Sequence, residues 1–369
     1  MVNFIFEEIL FRNIVENSLM IFNRFISNRK ISIQSLILGL LTVLNIPNLQ
    51  AQNPQFRQLY AQRHLTNPAL VGLGSVNSEA ASRITSGTKA QWLGISNRLY
   101  TQTLSFDSPV KKNNTSWGIS AFTTDLNSGA DKMSKYSHFS ASLTYGYDIK
   151  INAYQLKLGM TAQFSSFSFG KDQFLWEDQI NQANTGFVNP TSEPLNKITR
   201  NAVHVSAGAL FYGKKGFLGF SAYNINQPDI SFYGDGVQNL PLNLSIQGGT
   251  KIYTSPTGTE IIPSFNYLIQ QQTVLGKQES VHSRSIMFNA KRSNFRLGLG
   301  AQNTQAFERQ AWSINYYFGA RYDKYYFAYS NDWNVSLKNT GVPVTHEFSL
   351  IIFPYTTGPN RKYNPFPEM

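Results

Sequence analysis

The chain has no cysteine among its 369 residues, and only 14% of its residues are charged. The absence of cysteine excludes structural disulfides, Cys-ligated zinc, a thiol nucleophile and an acylated-cysteine anchor. A typical soluble domain carries about 25% charged residues, so this composition is unusual for a soluble enzyme. No apolar run reaches the roughly 20 residues that a transmembrane helix needs. These absences argue against both a typical soluble enzyme and a bundle of membrane helices.

Clustered basic residues and metal-ligand spacings are also missing. The formal net charge is +11, but Lys and Arg occur singly or in pairs, so we predict no nucleic-acid binding. Neither an H-x-H nor an HExxH spacing occurs, so we predict no metal site and no cofactor. The five histidines, His64, His138, His204, His282 and His346, are isolated in the sequence. All but His64 lie in predicted strands, and we expect those four to form hydrogen bonds inside a lumen.

The N-terminal region has the pattern of a targeting segment. Residues 32–46 read SIQSLILGLLTVLNI, preceded by three basic residues and followed by NLQA. A positive flank, a short apolar core and a terminal small residue predict a secretory signal peptide over 1–51, cleaved after Ala51. Residues 1–19 contain three glutamates, which do not suit a signal, so we expect Met20 to be the true start. The alternative is a buried core helix over 32–46.

From about residue 80 onward, apolar residues alternate with small or polar ones in segments of about ten residues. Residues 154–165, YQLKLGMTAQFS, are an example. A period of two places successive side chains on opposite faces of a sheet. The segments predict about fourteen strands, at 80–91, 98–108, 115–125, 134–148, 153–169, 201–213, 216–226, 243–254, 261–272, 280–290, 294–303, 310–322, 324–334 and 344–353.

The connections between these segments alternate in length. Tight turns at 148–150, 213–216, 291–294 and 322–324 alternate with connections that include two long ones, at about 170–200 and 227–242. Short periplasmic turns and longer outer loops are typical of outer-membrane barrels. The polar strand faces carry Ser, Thr, Gly, Asn and Gln rather than Lys and Glu, which suits a lumen. We therefore predict an all-β protein, a single closed antiparallel transmembrane β-barrel with periplasmic termini; the alternative is a soluble exported β-protein.

The predicted organisation has four parts. A signal peptide (1–51) precedes an N-terminal periplasmic or plug segment (52–79), the barrel (80–353) and a C-terminal periplasmic tail (354–369). The basic turns of this barrel are either solvated residues or a docking site for an acidic periplasmic partner. An outer-membrane phospholipase would need a Ser–His pair on one face, whereas the adjacent His282 and Ser283 point to opposite faces. We therefore predict that the protein is not an enzyme.

Residues 52–73, QNPQFRQLYAQRHLTNPALVGL, resemble the opening of the PorP/SprF family of Bacteroidetes outer-membrane proteins. The resembling elements are Gln52-Asn53-Pro54, the Phe-x-Gln-x-Tyr element at 56–60 and the Asn-Pro-Ala element at 67–69. The final strand, His346-Glu347-Phe348-Ser349-Leu350, is similar to the closing element of the family. The resemblance implies a part in type IX secretion and gliding motility, helping to secrete or anchor at the cell surface adhesins and other proteins with a C-terminal sorting domain. It also implies contact with periplasmic components of the secretion system.

Two groups of residues are candidates for function. The loop at about 171–200 is the expected contact for a secreted partner, through Phe174, Trp176, Glu177, Asp178 and Phe187; the alternative is that this loop folds inward and plugs the lumen. The N-terminal family residues are expected to be structural: Phe56, Tyr60, Asn67 and Pro68. The alternative function is a passive outer-membrane porin or small-solute channel without a protein partner.

Overall fold

The structure is a computed structural model that describes residues 56–59, 61–73, 82–91, 93, 97–110, 113–128, 134–169, 199–213, 215–232, 238–254, 258–274, 277–306, 309–336 and 344–354. The predicted signal peptide, the predicted C-terminal tail beyond residue 354 and most of the loop at 171–200 lie outside these ranges. Within them, two short helical elements precede the strands: helix α1 (Arg63–Thr66) and a 3-10 turn (Pro68–Leu70). No helix in the described residues is long and apolar enough to span a bilayer.

Fifteen strands follow, one of them only two residues long. They are β1 (Arg83–Gln91), β2 (Asn97–Val110), β3 (Thr115–Ser128), β4 (Ser134–Ile151), β5 (Tyr154–Phe169), β6 (Thr199–Tyr212), β7 (Gly216–Tyr223), β8 (Leu242–Thr250), β9 (Tyr253–Thr254), β10 (Thr259–Val274), β11 (Lys277–Arg292), β12 (Phe295–Ala306), β13 (Arg309–Tyr322), β14 (Tyr325–Asn334) and β15 (Val344–Ile352).

The strands close into one antiparallel barrel of fourteen wall strands. Each wall strand pairs with its neighbours in the sequence, β8 pairs with β10, and the last strand, β15, pairs with the first, β1. Strand β9 pairs only with one end of β10 and adds no wall strand. The predicted closed barrel of fourteen strands is therefore confirmed. We call the β1–β15 pairing the seam, because it joins the two ends of the chain of strands.

The two faces of the wall have opposite chemistry. On β5, Leu158 and Met160 point outward and are 43% and 66% exposed, whereas the inward Lys157, Thr161 and Ser165 are at most 4% exposed. The same alternation runs around the barrel: among the described strand residues, large hydrophobic side chains are exposed outside and mainly polar ones are buried inside. A soluble sandwich would bury the apolar face instead. An apolar outer face around a polar interior is what a transmembrane barrel requires.

The two ends of the barrel also differ. The connections 111–114, 152–153, 213–215, 293–294 and 323–324 are short, and we call this the turn end; the opposite end, with the connections 170–198 and 224–241, is the loop end. At the turn end a residue with positive φ occurs in four of the short connections, at Asn114, Asn152, Ser293 and Asp323. Asn and Asp tolerate this conformation better than most residues, which suits tight hairpins.

Strands β7 and β8 are shorter than the sequence predicts. Strand β7 ends at Tyr223 because Asn224 takes a φ of 59° and the chain leaves the wall. The side-chain amide of Asn226 then forms the hydrogen bonds with the β6 backbone that a paired strand would otherwise form. Its Oδ1 accepts from Val205 N at 3.0 Å, and its Nδ2 donates to Val203 O at 2.9 Å. Residues 224–226 alternate in the sequence like strand residues, so the pattern alone does not reveal this departure.

Candidate functional site

The residues predicted to contact a secreted partner, Phe174, Trp176, Glu177, Asp178 and Phe187, lie outside the described residues, as does Tyr60 of the N-terminal motif. The other motif residues, Phe56, Asn67 and Pro68, are described and buried. They belong to the stretch Phe56–Leu73, which we call the lumen segment. This segment contacts strands on opposite sides of the barrel, so it lies inside the wall.

The lumen segment begins against the last two strands. The Arg57 guanidinium donates to Asp332 of β14 at 2.8 and 2.6 Å from its Nε and Nη2 atoms. The backbone N–H groups of Arg57 and Gln58 donate to the Glu347 carboxylate of β15, at 2.8 and 3.3 Å to Oε2. The Gln58 amide donates to Ser330 Oγ and to Glu347 O, both at 3.1 Å. The N-terminal and C-terminal family elements are therefore in contact, about 290 residues apart in the sequence.

Gln62 spans three strands around the seam. Its Oε1 accepts from Thr103 Oγ1 of β2 at 2.8 Å, and its Nε2 donates to Ser349 Oγ of β15 at 3.5 Å. Between them lies Gly87 of β1, where an added Cβ would stand 2.1 Å from Gln62 Nε2. The glycine leaves the room that the carboxamide needs to cross β1.

The Asn-Pro-Ala element forms the turn after helix α1. Asn67 Oδ1 accepts from Ala69 N at 2.8 Å, which caps the 3-10 turn, and Pro68 occupies its first position, where no N–H is needed. Asn67 Nδ2 donates to Phe220 O of β7 at 3.1 Å and is 3.4 Å from Ala209 O of β6. Asn67 is fully buried, so its amide both shapes the turn and ties it to the wall.

Inward-facing glycines allow the lumen segment to approach the wall closely. At Gly159 an added Cβ would lie 2.4 Å from Ala69 N and from Pro68 C, and 2.5 Å from Pro68 O. These are backbone atoms, which cannot rotate away as a side chain can. Similar close approaches to the segment occur at inward glycines on β3, β4, β6 and β7, namely Gly118, Gly146, Gly208 and Gly219.

Asp107 of β2 joins the end of the segment to the wall. Its carboxylate accepts from Arg83 Nε and from Gly72 N, both at 2.9 Å, and His64 Nε2 lies 3.7 Å away. Arg63 Nη1 donates to Leu73 O at 2.8 Å, which folds the segment back on itself. Such a buried charge is tolerated when paired and hydrogen-bonded, because desolvation otherwise disfavours it strongly.

Two further ion pairs lie inside the barrel. Lys89 of β1 faces Glu347 across the seam at 3.3 Å, and Lys157 Nζ donates to Asp148 Oδ2 at 2.5 Å. Apolar side chains of the segment also pack on inward residues near the turn end. This cluster contains Ala69, Leu70, Leu73, Leu210, Phe217, Tyr317, Ile351 and Phe353.

A cavity of about 110 Å³ remains beside the lumen segment, on the side away from the seam. Two histidines on its wall share one serine: His138 Nε2 and His204 Nε2 lie 3.2 and 2.9 Å from Ser165 Oγ. Ser165 has no exposed surface, and its hydroxyl also donates to Ser140 Oγ at 3.1 Å. In the described part of the chain, no three His, Cys, Asp or Glu side chains come together as a metal site would require.

The expectation of a lumen role holds for His138 and His204 but is wrong for two other histidines. His282 and His346 occupy outward positions, in line with the exposed Ile286 and Phe348 on their own strands. Each Nδ1 bonds a tyrosine hydroxyl on the neighbouring strand, Tyr267 at 2.8 Å and Tyr329 at 2.9 Å. A cross-strand tyrosine satisfies an outward histidine, an arrangement that alternation in one strand does not show.

Sequence reasoning missed the wall residues that receive the lumen segment. One signal was available: charged residues at Arg83, Lys89, Asp107, Lys157 and Glu347 fall on the faces that are otherwise mild and polar. A charge inside a barrel needs a partner, so these positions indicated that something charged or hydrogen-bonding fills the lumen.

Known protein structures resemble this chain over most of its length. No curated protein sequence matches the chain. Among solved structures, the chain is similar to the Pseudomonas putida toluene transporter TodX, with 8% identity and a TM-score of 0.46 over 82% of this chain and 94% of TodX. It is also similar to a Pseudomonas aeruginosa FadL homologue, with 10% identity and a TM-score of 0.41 over 73% and 88% of the two chains. For Omp33 of Acinetobacter baumannii the identity is 5% and the TM-score 0.40, over 76% and 99%.

A family profile matches most of the chain. The profile of the type IX secretion system membrane proteins PorP/SprF matches residues 48–352, which include the lumen segment and every wall strand. Both sequence elements that meet at Glu347 fall inside the match. The chain therefore belongs to the PorP/SprF family of type IX secretion system membrane proteins and is a β-barrel of the outer membrane.

Proposed function

We propose that this barrel acts by position and without catalysis, helping to secrete or to anchor at the cell surface a protein that carries a C-terminal sorting domain. Membership of the PorP/SprF family supports a role in the type IX machinery. The observation that carries the positional mechanism is the occupied lumen. The segment Phe56–Leu73 crosses it from β14 and β15 to β5, β6 and β7, bonded to the wall along its length.

In this proposal the loop end faces the cell exterior and binds the secreted protein, whereas the turn end and both termini face the periplasm. The loop at about 171–200 supplies the contact, through Phe174, Trp176, Glu177, Asp178 and Phe187. Aromatic side chains next to carboxylates are frequent anchors at protein interfaces. Lipid surrounds the apolar outer face, and periplasmic secretion components meet the turn end, where Lys291 and Arg292 lie.

A pull-down tests the loop assignment. The intact barrel in detergent is expected to capture a protein bearing a C-terminal sorting domain, and replacement of residues 172–195 by Gly/Ser is expected to abolish capture. The matched control replaces residues 337–343, also at the loop end, by Gly/Ser. Each variant is first checked for the heat-dependent gel migration of a folded barrel. Capture that survives the 172–195 replacement would refute the loop assignment.

The alternative function is a passive porin or small-solute channel. The cavity beside the lumen segment is the feature that favours it. Liposomes containing the purified barrel should swell in a small sugar if the protein is a porin. Swelling at the rate of empty liposomes supports the positional mechanism, because a filled lumen passes no solute.

A further inference from the structure

One group of hydrogen bonds of the lumen segment lies at the point where the barrel closes, on β14, β15 and β2, whereas other contacts of the segment are with β5, β6 and β7. The seam has eight paired residues, from Ile84 with Ile352 to Gln91 with Thr345, as many as β7–β8 and β8–β10; β6 and β7 share six pairs, whereas β4 and β5 share sixteen. Backbone pairing alone therefore makes the seam one of the weaker joints of the wall. Unlike hairpin neighbours, its two strands are also not joined by a short connection in the chain.

Three side chains, Gln62, Gln58 and Lys89, make bonds that cross or flank this joint. Gln62 links Thr103 on β2 with Ser349 on β15, across β1. Gln58 donates to β14 and β15, at Ser330 Oγ and Glu347 O. Lys89 and Glu347, opposite each other in the register, form an ion pair directly over the seam.

Glu347 connects the seam to the lumen segment. Besides Lys89, its carboxylate accepts from the backbone N–H groups of Arg57 and Gln58 and from Ser330 Oγ. Charge-assisted hydrogen bonds of this kind are stronger than neutral ones. Removal of the segment would leave Glu347 without two of its donors and Gln62's partners Thr103 and Ser349 without their bridge.

We propose that the lumen segment is an internal clamp that keeps the first and last strands paired, and that Gln58 and Gln62 are its principal residues. The clamp acts from inside, where the segment is already buried when the barrel is closed. Loss of the Gln58 and Gln62 side chains weakens the seam selectively, because their bonds go to β14, β15 and β2, and strand pairs on the far wall keep their stability. This role is independent of the proposed function, because it concerns closure and not cargo.

Engineered disulfides test the clamp cleanly, since the chain has no cysteine of its own. Thr88 and Phe348 are outward partners across the seam, and Leu143 and Ala162 are outward partners on β4 and β5. Paired residues on antiparallel strands have Cα separations of about 4.5–5.5 Å, within the range for a disulfide. The pairs T88C/F348C and L143C/A162C therefore report the two joints separately.

The perturbation is the double variant Gln58→Leu with Gln62→Leu, which changes no wall residue. The matched control is Thr66→Val, which removes a bond inside the same buried segment, Thr66 Oγ1 to Gln62 O at 3.0 Å. The full-length barrels are oxidised after exposure to moderate urea. We expect the seam crosslink to fall at least threefold in the double variant and to remain unchanged in the control, with the β4–β5 crosslink unchanged in both.

A rescue experiment covers the case in which the double variant does not fold. A seam disulfide formed during refolding should restore folded-barrel gel migration to that variant, and the β4–β5 disulfide should not. Equal loss of both crosslinks, an equal effect of Thr66→Val, or rescue by either disulfide alike would overturn the clamp and leave the segment a general filler of the lumen.

Discussion

Gly159 on β5 offers the sharpest test of how the lumen segment fits the wall. Its position faces the lumen, and the Asn-Pro-Ala turn lies against it without an intervening side chain. In Gly159→Ala the new methyl group would stand 2.4 Å from both Ala69 N and Pro68 C. Carbon and nitrogen atoms in contact prefer separations of about 3.5–4.0 Å, so the wall or the segment must move by roughly 1 Å.

The magnitude follows from the cost of overpacking. An extra methyl group in a well-packed interior costs roughly 1–3 kcal/mol. Because each 1.4 kcal/mol is a tenfold change in an equilibrium constant, the population with a displaced segment should rise by about five- to hundredfold. The matched control is Ala162→Val on the same strand, which points outward and adds carbon to the lipid-facing side.

The assay is maleimide labelling of a single cysteine introduced at Ala61, which is fully buried in the lumen segment. In the wild-type background the thiol should react slowly, because it becomes accessible only when the segment moves. Gly159→Ala should raise the labelling rate by about five- to hundredfold, and Ala162→Val should leave it unchanged. A labelling rate in Gly159→Ala equal to that in the wild-type background would refute the close packing of the segment on β5.

Three further predictions concern charge, the turn and the lipid face. Asp107→Ala removes the acceptor for Arg83 and Gly72 and should lower the free energy of unfolding in urea by about 3–5 kcal/mol, as expected when a buried ion pair is broken. The control Glu260→Gln breaks the partly exposed ion pair of Glu260 with Lys251 and should lower the free energy of unfolding by at most about 1 kcal/mol. Asn67→Ala removes the turn cap and the bond to Phe220 O and should cost about 1–3 kcal/mol in the same measurement. Asn67→Asp keeps the cap but puts a buried carboxylate against the Phe220 and Ala209 carbonyl oxygens, so it should not recover that loss. Leu143→Arg places a charge on the outer face, where Leu143 is 58% exposed, and should cost about 2–4 kcal/mol in bilayers; an effect below about 1 kcal/mol would place this residue outside the hydrocarbon.

The wall of the barrel could be predicted from the sequence because its signal is local. The alternation within each strand indicates which side chains point to lipid and which to the lumen. On β5, Leu158 and Met160 point outward, and Lys157 and Thr161 point inward. The tight turns were equally local, since residues such as Asn152 and Asp323 mark positive-φ positions. Local patterns therefore predicted all fourteen wall strands and the side of the sheet that meets lipid.

The lumen segment could not be predicted to the same depth because its partners are distant in the sequence. Arg57 and Glu347 are in contact only because the barrel closes, and the sequence around either residue does not indicate that the other is its partner. The glycines that receive the segment, such as Gly159 and Gly208, look like ordinary small residues of the polar face. The prediction for the outward histidines His282 and His346 failed for a related reason, since their tyrosine partners lie on neighbouring strands.

The central claim is that the N-terminal segment occupies the lumen of a closed barrel, and the proposed function requires that it leave no open path for solutes. Conductance of the purified full-length protein in planar lipid bilayers tests this most directly. We predict that insertion, verified by recovery of folded protein from the bilayer, produces no steady current. A stable open conductance carried by the wild-type barrel would contradict the account.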